Sequence, residues 1–330
     1  MTSTNMFEIV LAALAGLVLF LYAVRSLSEN LYDALGDSAP TWIRRWTSNR
    51  FSSVLIGILV TILLDSSSAV IILTIVMVNS RILNFRQAMG IVMGANIGTT
   101  ASSQIIAMDV GRYAPLLMLV GFGMMGFQKQ TRVALVGRVV MSMGVLFFGL
   151  FTMENAVAPL HHEAFFENWM RQTENPLTGA WVGALVTLVI QSSSATVAMA
   201  MVLTREGFLG LGGGIAVMLG AELGTCTTTL MATIRGSRQA LKTGLFHLLF
   251  NLVSIVLGLL LFEPLVQASE WMSRGASLER AIDHAHFLFN VAGVALFIGL
   301  AALSYSANQI GGASPAGSNL MGLAGAYSSY

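Results

Sequence analysis

TILLDSSSAVIIL at residues 61–73 and TLVIQSSSATVAM at residues 187–199 each set three consecutive serines behind a polar residue, inside an otherwise apolar run. The two runs lie 126 residues apart, and the same offset relates GANIGTT at 94–100 to GAELGTC at 220–226. Hydroxyls and carboxyls are costly in hydrocarbon unless they face a partner, a cavity or an ion. Their duplication describes a membrane protein of two related halves, each interrupted by polar groups at matching depth. Paired broken helices around such groups are what a transporter needs at a site near the bilayer midplane.

Composition agrees. Only 10% of the 330 residues are charged and 55% are hydrophobic, with a mean hydropathy of +0.75, whereas soluble domains carry about 25% charged residues. Nineteen methionines and 33 glycines suit close helix packing. A net charge of +1 leaves no basic footprint for nucleic acid. The single cysteine, Cys226, excludes an intrachain disulfide and a cysteine-rich zinc site. No HExxH, metal-spaced cluster or nucleophile elbow surrounds the serines and histidines, so neither an enzyme nor a cofactor is expected. The first apolar run, residues 7–22, lacks a basic n-region and a small-x-small cleavage site, and reads as an uncleaved span. The polar stretches 25–50 and 154–176 are too short for a soluble core.

Apolar stretches lie near residues 6–24, 51–80, 87–108, 113–127, 133–153, 177–204, 210–233, 241–262 and 284–305. A crossing takes about 20 residues. Stretches 51–80 and 177–204 read either as single crossings or as re-entrant hairpins turning at the serines. Basic residues collect on the cytoplasmic side of membrane proteins. With two hairpins, Arg25, Arg44, Arg45, Arg50, Arg81, Arg86, Lys129, Arg132, Arg235, Arg238 and Lys242 share one side, leaving Arg112, Arg171, Arg205, Arg274 and Arg280 on the other. Full crossings mix the two groups. Arg138 sits within a span and reads as a snorkelling residue near the cytoplasmic end.

The hairpin reading separates the hairpins by an odd number of crossings. The expected fold is therefore an all-α polytopic membrane protein with two inverted-topology repeats, each with a re-entrant helical hairpin and a broken transmembrane helix. Its parts are a first span and cytoplasmic amphipathic linker (1–50), repeat 1 (51–153), an external loop with His161 and His162 (154–176), repeat 2 (177–306) and a Gly-, Ala- and Ser-rich tail (307–330). The N-terminus lies outside and the C-terminus in the cytoplasm.

A half-helix ending in the membrane leaves N–H groups free at its start, where anions are attracted, and carbonyls free at its end, where cations are attracted. Ser66, Ser67, Ser68, Ser192, Ser193 and Ser194 add hydroxyls at the two tips, enough for a tetrahedral oxyanion without arginine. No lysine or arginine is expected near the centre of a span. Sodium prefers hard oxygens, supplied by broken-helix carbonyls, Thr99, Thr100, Thr225, Thr227 and Thr228, and by Asp65 and Glu222, the acids placed deep in spans. A buried carboxylate needs a cation, a proton or a partner. Gly90, Gly94 and Gly98 allow a close neighbour and a break at Asn96. Thr61 and Thr187 read equally as site-lining or as back-bonded within their helices. HLLFN at 247–251 and HFLFN at 286–290 put His247 with Asn251, and His286 with Asn290, on single helix faces. Interhelical fastening fits these better than direct ligation.

These duplicated motifs, [QD]-SSSA and GA-[NE]-[IL]-GT, resemble those of the type II sodium-dependent phosphate cotransporter family, and the HxxFN elements resemble those of its bacterial members. The likeness spans about residues 50–305. It implies sodium-coupled movement of inorganic phosphate across a bacterial inner membrane by alternating access. Phosphate contacts fall to the six serines with Gln191, and sodium or supporting roles to Asn96, Thr99, Thr100 and Thr225. Asp65 stands where the family usually has glutamine, and Glu222 where it usually has asparagine. Each exchange adds a carboxyl, which implies an added cation or proton requirement. The PhoU-like domain that many bacterial relatives append is not present in this sequence. The same architecture serves a cation- or proton-coupled carrier of another small anion; a passive ion channel fits less well, because opposed hairpins occlude a pore. A homo-oligomer is compatible with all of these readings.

Overall fold

The computed structural model describes residues 6–35, 39–47, 49–107, 111–126, 132–159, 171–234 and 236–310. His161, His162 and the tail from 311 onward lie outside the described residues. The chain forms α1 (Met6–Leu35), α2 (Ala39–Trp46), α3 (Arg50–Leu64), α4 (Ser67–Asn79), α5 (Phe85–Ile106), a 3₁₀ turn (Gly111–Tyr113), α6 (Ala114–Met125) and α7 (Arg132–Val157). It continues through α8 (Pro176–Ile190), α9 (Ser193–Arg205), α10 (Leu211–Gly224), α11 (Cys226–Met231), α12 (Arg238–Leu260), α13 (Phe262–Met272) and α14 (Leu278–Ile310). Five helices are long and apolar enough to cross a membrane, and the bent pair Phe85–Ile106 with Gly111–Met125 makes up to six. The protein is a polytopic helical membrane protein.

The 126-residue offset reaches down to single caps and dihedrals. Asn49 and Asn175 cap α3 and α8; Ser66 and Ser192 cap α4 and α9. Between the arms the chain turns through a left-handed residue, Asp65 (φ 50°) and Gln191 (φ 60°). Arg81 (φ 59°) and Gly207 (φ 74°) close the second arms the same way. A β-branched side chain tolerates the left-handed region poorly, at about 1–2 kcal/mol. Gln191→Val is accordingly expected to melt at a lower temperature than Gln191→Asn or Gln191→Gly; equal melting of the three would remove the left-handed turn.

Each pair of arms doubles back. Fifteen-residue α3 and α8 reach about 22 Å, short of a ~30 Å hydrocarbon core. Gln87 Nε2, in the first turn of α5, donates to the Thr47 carbonyl just before α3 (2.6 Å), and a short turn links α4 to α5. Both outer ends of the α3–α4 pair therefore sit beside the start of α5. Likewise Glu174, just before α8, accepts from Gly210 N (2.5 Å) and Gly213 N (3.1 Å) at the start of α10. The outer ends of the two pairs meet different partners. Asn79 accepts from Ser237 N, ahead of α12, at 2.7 Å. Arg205 instead meets Glu154 of α7 at 3.1 Å and Glu279 at the start of α14.

Glycines make these packings close. A Cβ on Gly94 would run into the Val54 carbonyl, and one on the equivalent Gly220 into the Ala180 carbonyl. Helix α5 carries α3 and α4, α10 carries α8 and α9, and α12 and α14 pack against both α5 and α10. Helix α1 lies along α7, which also holds α6.

Two expectations change. Helix α5 runs unbroken through GANIGTT. The Asn96 amide donates to the Val92 carbonyl, the Thr99 hydroxyl to Ala95 and the Thr100 hydroxyl to Ile97, so these polar groups are satisfied inside an intact helix. Gly94 and Gly98 serve close contact with α3 rather than a break. The second motif is interrupted only at Thr225, which keeps right-handed dihedrals (φ −67°, ψ −21°). There the Glu222 carbonyl accepts the Thr225 hydroxyl (2.9 Å) and the Asn251 amide (2.9 Å). Helix α1 also continues past residue 24, the expected end of the first span, to Leu35.

Candidate functional site

The left-handed turns bring the starts of α4 and α9 to one cavity. Ser66 Oγ accepts from Ala69 N and Ser192 Oγ from Ala195 N, each at 3.2 Å. The first serine of each triplet is thus the cap, while Ser67, Ser68, Ser193 and Ser194 occupy the first turns. One cavity of about 430 Å³ is lined by all six serines with Asp65 and Gln191. Two helix starts, with their unsatisfied N–H groups and positive dipole ends, bracket it. The structure thus brings together every residue expected to contact the anion.

A third wall was not anticipated. Leu21, Val24, Arg25, Ser28 and Glu29 of α1 line the same cavity. Arg25 Nε donates to Glu29 Oε1 at 2.8 Å, with side chains 82% and 63% exposed. Arg25 was not among the residues expected at the anion: hydropathy drops after residue 24, which suggested a helix end, whereas α1 continues and carries Arg25 into the cavity lining. The legible signal was the i, i+4 spacing of Arg25 and Glu29 on the face of Leu21. Two further acids lie near these elements: Glu29 lines the cavity and Asp283, near the start of α14, is buried.

The residues expected to serve a cation divide. Asp65 faces the cavity and accepts from the Ser102 hydroxyl of α5. It also borders a smaller space of about 200 Å³ shared with Ser102 and Ser194. Glu222, Asn96, Thr99, Thr100, Thr225 and Thr227 do not line the main cavity. Thr227 is exposed, and the Thr228 hydroxyl is buried without a partner. Among the described residues no group of three or more His, Cys, Asp or Glu is placed to hold a metal ion. Thr187 takes neither expected role: its hydroxyl bonds Thr196 across the two arms at 2.7 Å. The equivalent of Thr196 in the first half is Val70, and the Thr61 hydroxyl is left buried and unpartnered.

Behind the cavity lies a buried polar seam. His286 bonds Ser103 of α5 through Nδ1 (2.9 Å) and Glu222 of α10 through Nε2 (3.1 Å). Asn251 donates to the Glu222 carbonyl (2.9 Å) and meets His247 Nε2 (3.1 Å), and His247 Nδ1 meets Thr229 (2.7 Å). His247, Asn251 and His286 therefore fasten helices to one another, whereas the Asn290 amide donates within α14 to His286 O (3.2 Å). Because Ser102 and Ser103 are neighbours on α5, one helix turn joins the cavity carboxyl Asp65 to the Glu222–His286 pair.

A polytopic helical bundle whose two equivalent helix starts share one hydroxyl-lined cavity has the features of a small-anion transporter. The chain belongs to the Na+/Pi-cotransporter family, whose model matches residues 19–155 and 150–324. This is a transporter family and not an enzyme family. The chain is 27% identical over 303 residues to the uncharacterized protein YqeW of Bacillus subtilis (strain 168), covering 90% of this chain and 96% of that one. It is 26% identical over 285 residues to the YjbB protein of Escherichia coli (strain K12), whose name refers to inorganic phosphate export; this covers 84% of this chain and 51% of that one. Over 65 residues it is 46% identical to the human sodium-dependent phosphate transport protein 2B, covering 19% of this chain and 9% of that protein. The chain thus spans about half the length of YjbB and nearly all of YqeW. No solved structure matches.

Proposed function

We propose that the protein carries inorganic phosphate across a bacterial inner membrane by alternating access, coupled to sodium. The observation that supports this best is the convergence of two equivalent, serine-bearing helix starts on one cavity. A phosphate dianion entering it exchanges water for backbone N–H groups and hydroxyls at two positive dipole ends. In this reading the doubled arms are re-entrant hairpins of two inverted-topology repeats, entered from opposite faces. Rocking one repeat against the other would expose the site to each side in turn. The N-terminus is then external and the C-terminus cytoplasmic. Sodium neutralises the carboxylates at Asp65 and Glu222.

The names of two relatives stress different features, one referring to export and the other to sodium dependence. Reconstituted proteoliposomes test both: labelled phosphate is expected to move faster with a sodium gradient than without. Flux indifferent to the gradient favours a channel, and no phosphate flux favours another small anion. Asp65→Gln and Glu222→Asn, which remove the two added carboxyls, are expected to reduce the steepness of the sodium or proton dependence. Unchanged cation dependence in both would end the idea that these acids add a coupling ion.

A further inference from the structure

Arg25 and Glu29 fall within Met6–Leu31, the stretch of α1 that is long and apolar enough to cross a membrane. Charged side chains in such a helix face a cavity and a partner, and both of these line the serine cavity. Among the described residues they bond only each other, on one helix, and remain 82% and 63% exposed. Among the described residues lining that cavity, Arg25 is the one lysine or arginine, and the other charged groups are Asp65 and Glu29. Without it, helix starts and hydroxyls would face an incoming anion across two carboxyls. The pair is weak by construction. Water screens it, and arginine placed N-terminal to glutamate opposes the helix dipole.

We propose that Arg25 is the anion-drawing side chain of the serine cavity and that Glu29 is its displaceable counter-ion. The guanidinium leaves Glu29 for two oxygens of the arriving tetrahedral oxyanion, a geometry that lysine cannot reproduce. When the anion departs, Glu29 takes Arg25 back, so capture does not become a trap. Naming the oxyanion as phosphate rests on the transport reading above; the exchange of partners rests on the cavity alone.

Two measurements test it together. In proteoliposomes, Arg25→Gln is expected to raise the phosphate KM by about tenfold or more, the effect of losing one charge-assisted hydrogen bond, with Vmax little changed. Arg25→Lys falls between. Glu29→Gln is expected to lower both KM and Vmax, because the anion is held longer. A phosphate-independent reading comes from Ser28→Cys, a thiol introduced beside Arg25, since the native Cys226 is buried. Anionic methanethiosulfonate is expected to label it faster than the cationic reagent. That preference disappears with Arg25→Gln and grows with Glu29→Gln. In a protein that moves phosphate, an unchanged KM in Arg25→Gln or an unchanged reagent preference overturns the proposal and leaves the transport reading standing. If the wild type moves no phosphate, the phosphate reading fails, and the reagent preference alone decides for or against Arg25.

Discussion

Leucine at Gly220 is expected to leave no folded protein. The Cβ alone would run into the Ala180 carbonyl of α8, with further backbone atoms of the same residue at 2.5 and 2.8 Å. Neither helix can retreat cheaply, because α8 is also tied to the start of α10 through Glu174. Overpacking a side chain usually costs about 1–3 kcal/mol. Here the colliding atoms are backbone, so more than ~3 kcal/mol is expected, a large share of the ~5–15 kcal/mol that holds a typical domain. Gly94→Leu, its counterpart against the Val54 carbonyl of α3, should fail similarly. Gly299, with nothing within 4 Å of a Cβ, is the control. Alanine there is expected to be neutral or to stabilise by up to ~1 kcal/mol. Thermal melting and size-exclusion profiles in detergent read all three, and a native melting temperature for Gly220→Leu would mean that α8 and α10 do not approach this closely.

The second large effect falls on transport without loss of fold. Ser67→Ala and Ser193→Ala remove hydroxyls that do not serve as the caps, a role held by Ser66 and Ser192. A hydrogen bond to a charged partner contributes about 1.5–3 kcal/mol, so phosphate flux is expected to fall roughly 10- to 100-fold per serine. Stability should stay within about 0.5 kcal/mol, because these substitutions add no bulk. Ser66→Ala should differ by also losing about 1 kcal/mol of helix-start stability. Wild-type flux in both Ser67→Ala and Ser193→Ala would remove the serines from the site.

How far the fold could be read in advance depended on whether a feature is local. The serine triplets announced the two turns because Ser66 and Ser192 cap the helices that follow, and a cap is decided within four residues. GANIGTT misled for the converse reason. Glycine, asparagine and threonine suggest a break, yet their polar groups found carbonyls one turn back and their missing side chains admitted α3. At the interruption between α10 and α11, Asn251, a residue of another helix, donates to the Glu222 carbonyl, a contact that no local pattern announces.

What the amino-acid order determined alone was the membrane environment, the pairing of two halves at an offset of 126 residues, and the serines that start α4 and α9. Composition and capping act over short distances, so a linear reading captures them. Only the tertiary structure decided that both serine turns open on one cavity, that α1 completes it with Arg25 and Glu29, and that Ser102 and Ser103 join Asp65 to the Glu222–His286 pair. Those meetings depend on how helices far apart in the chain cross, and glycine contacts at Gly94 and Gly220 set that distance by backbone fit rather than by any pattern along one helix.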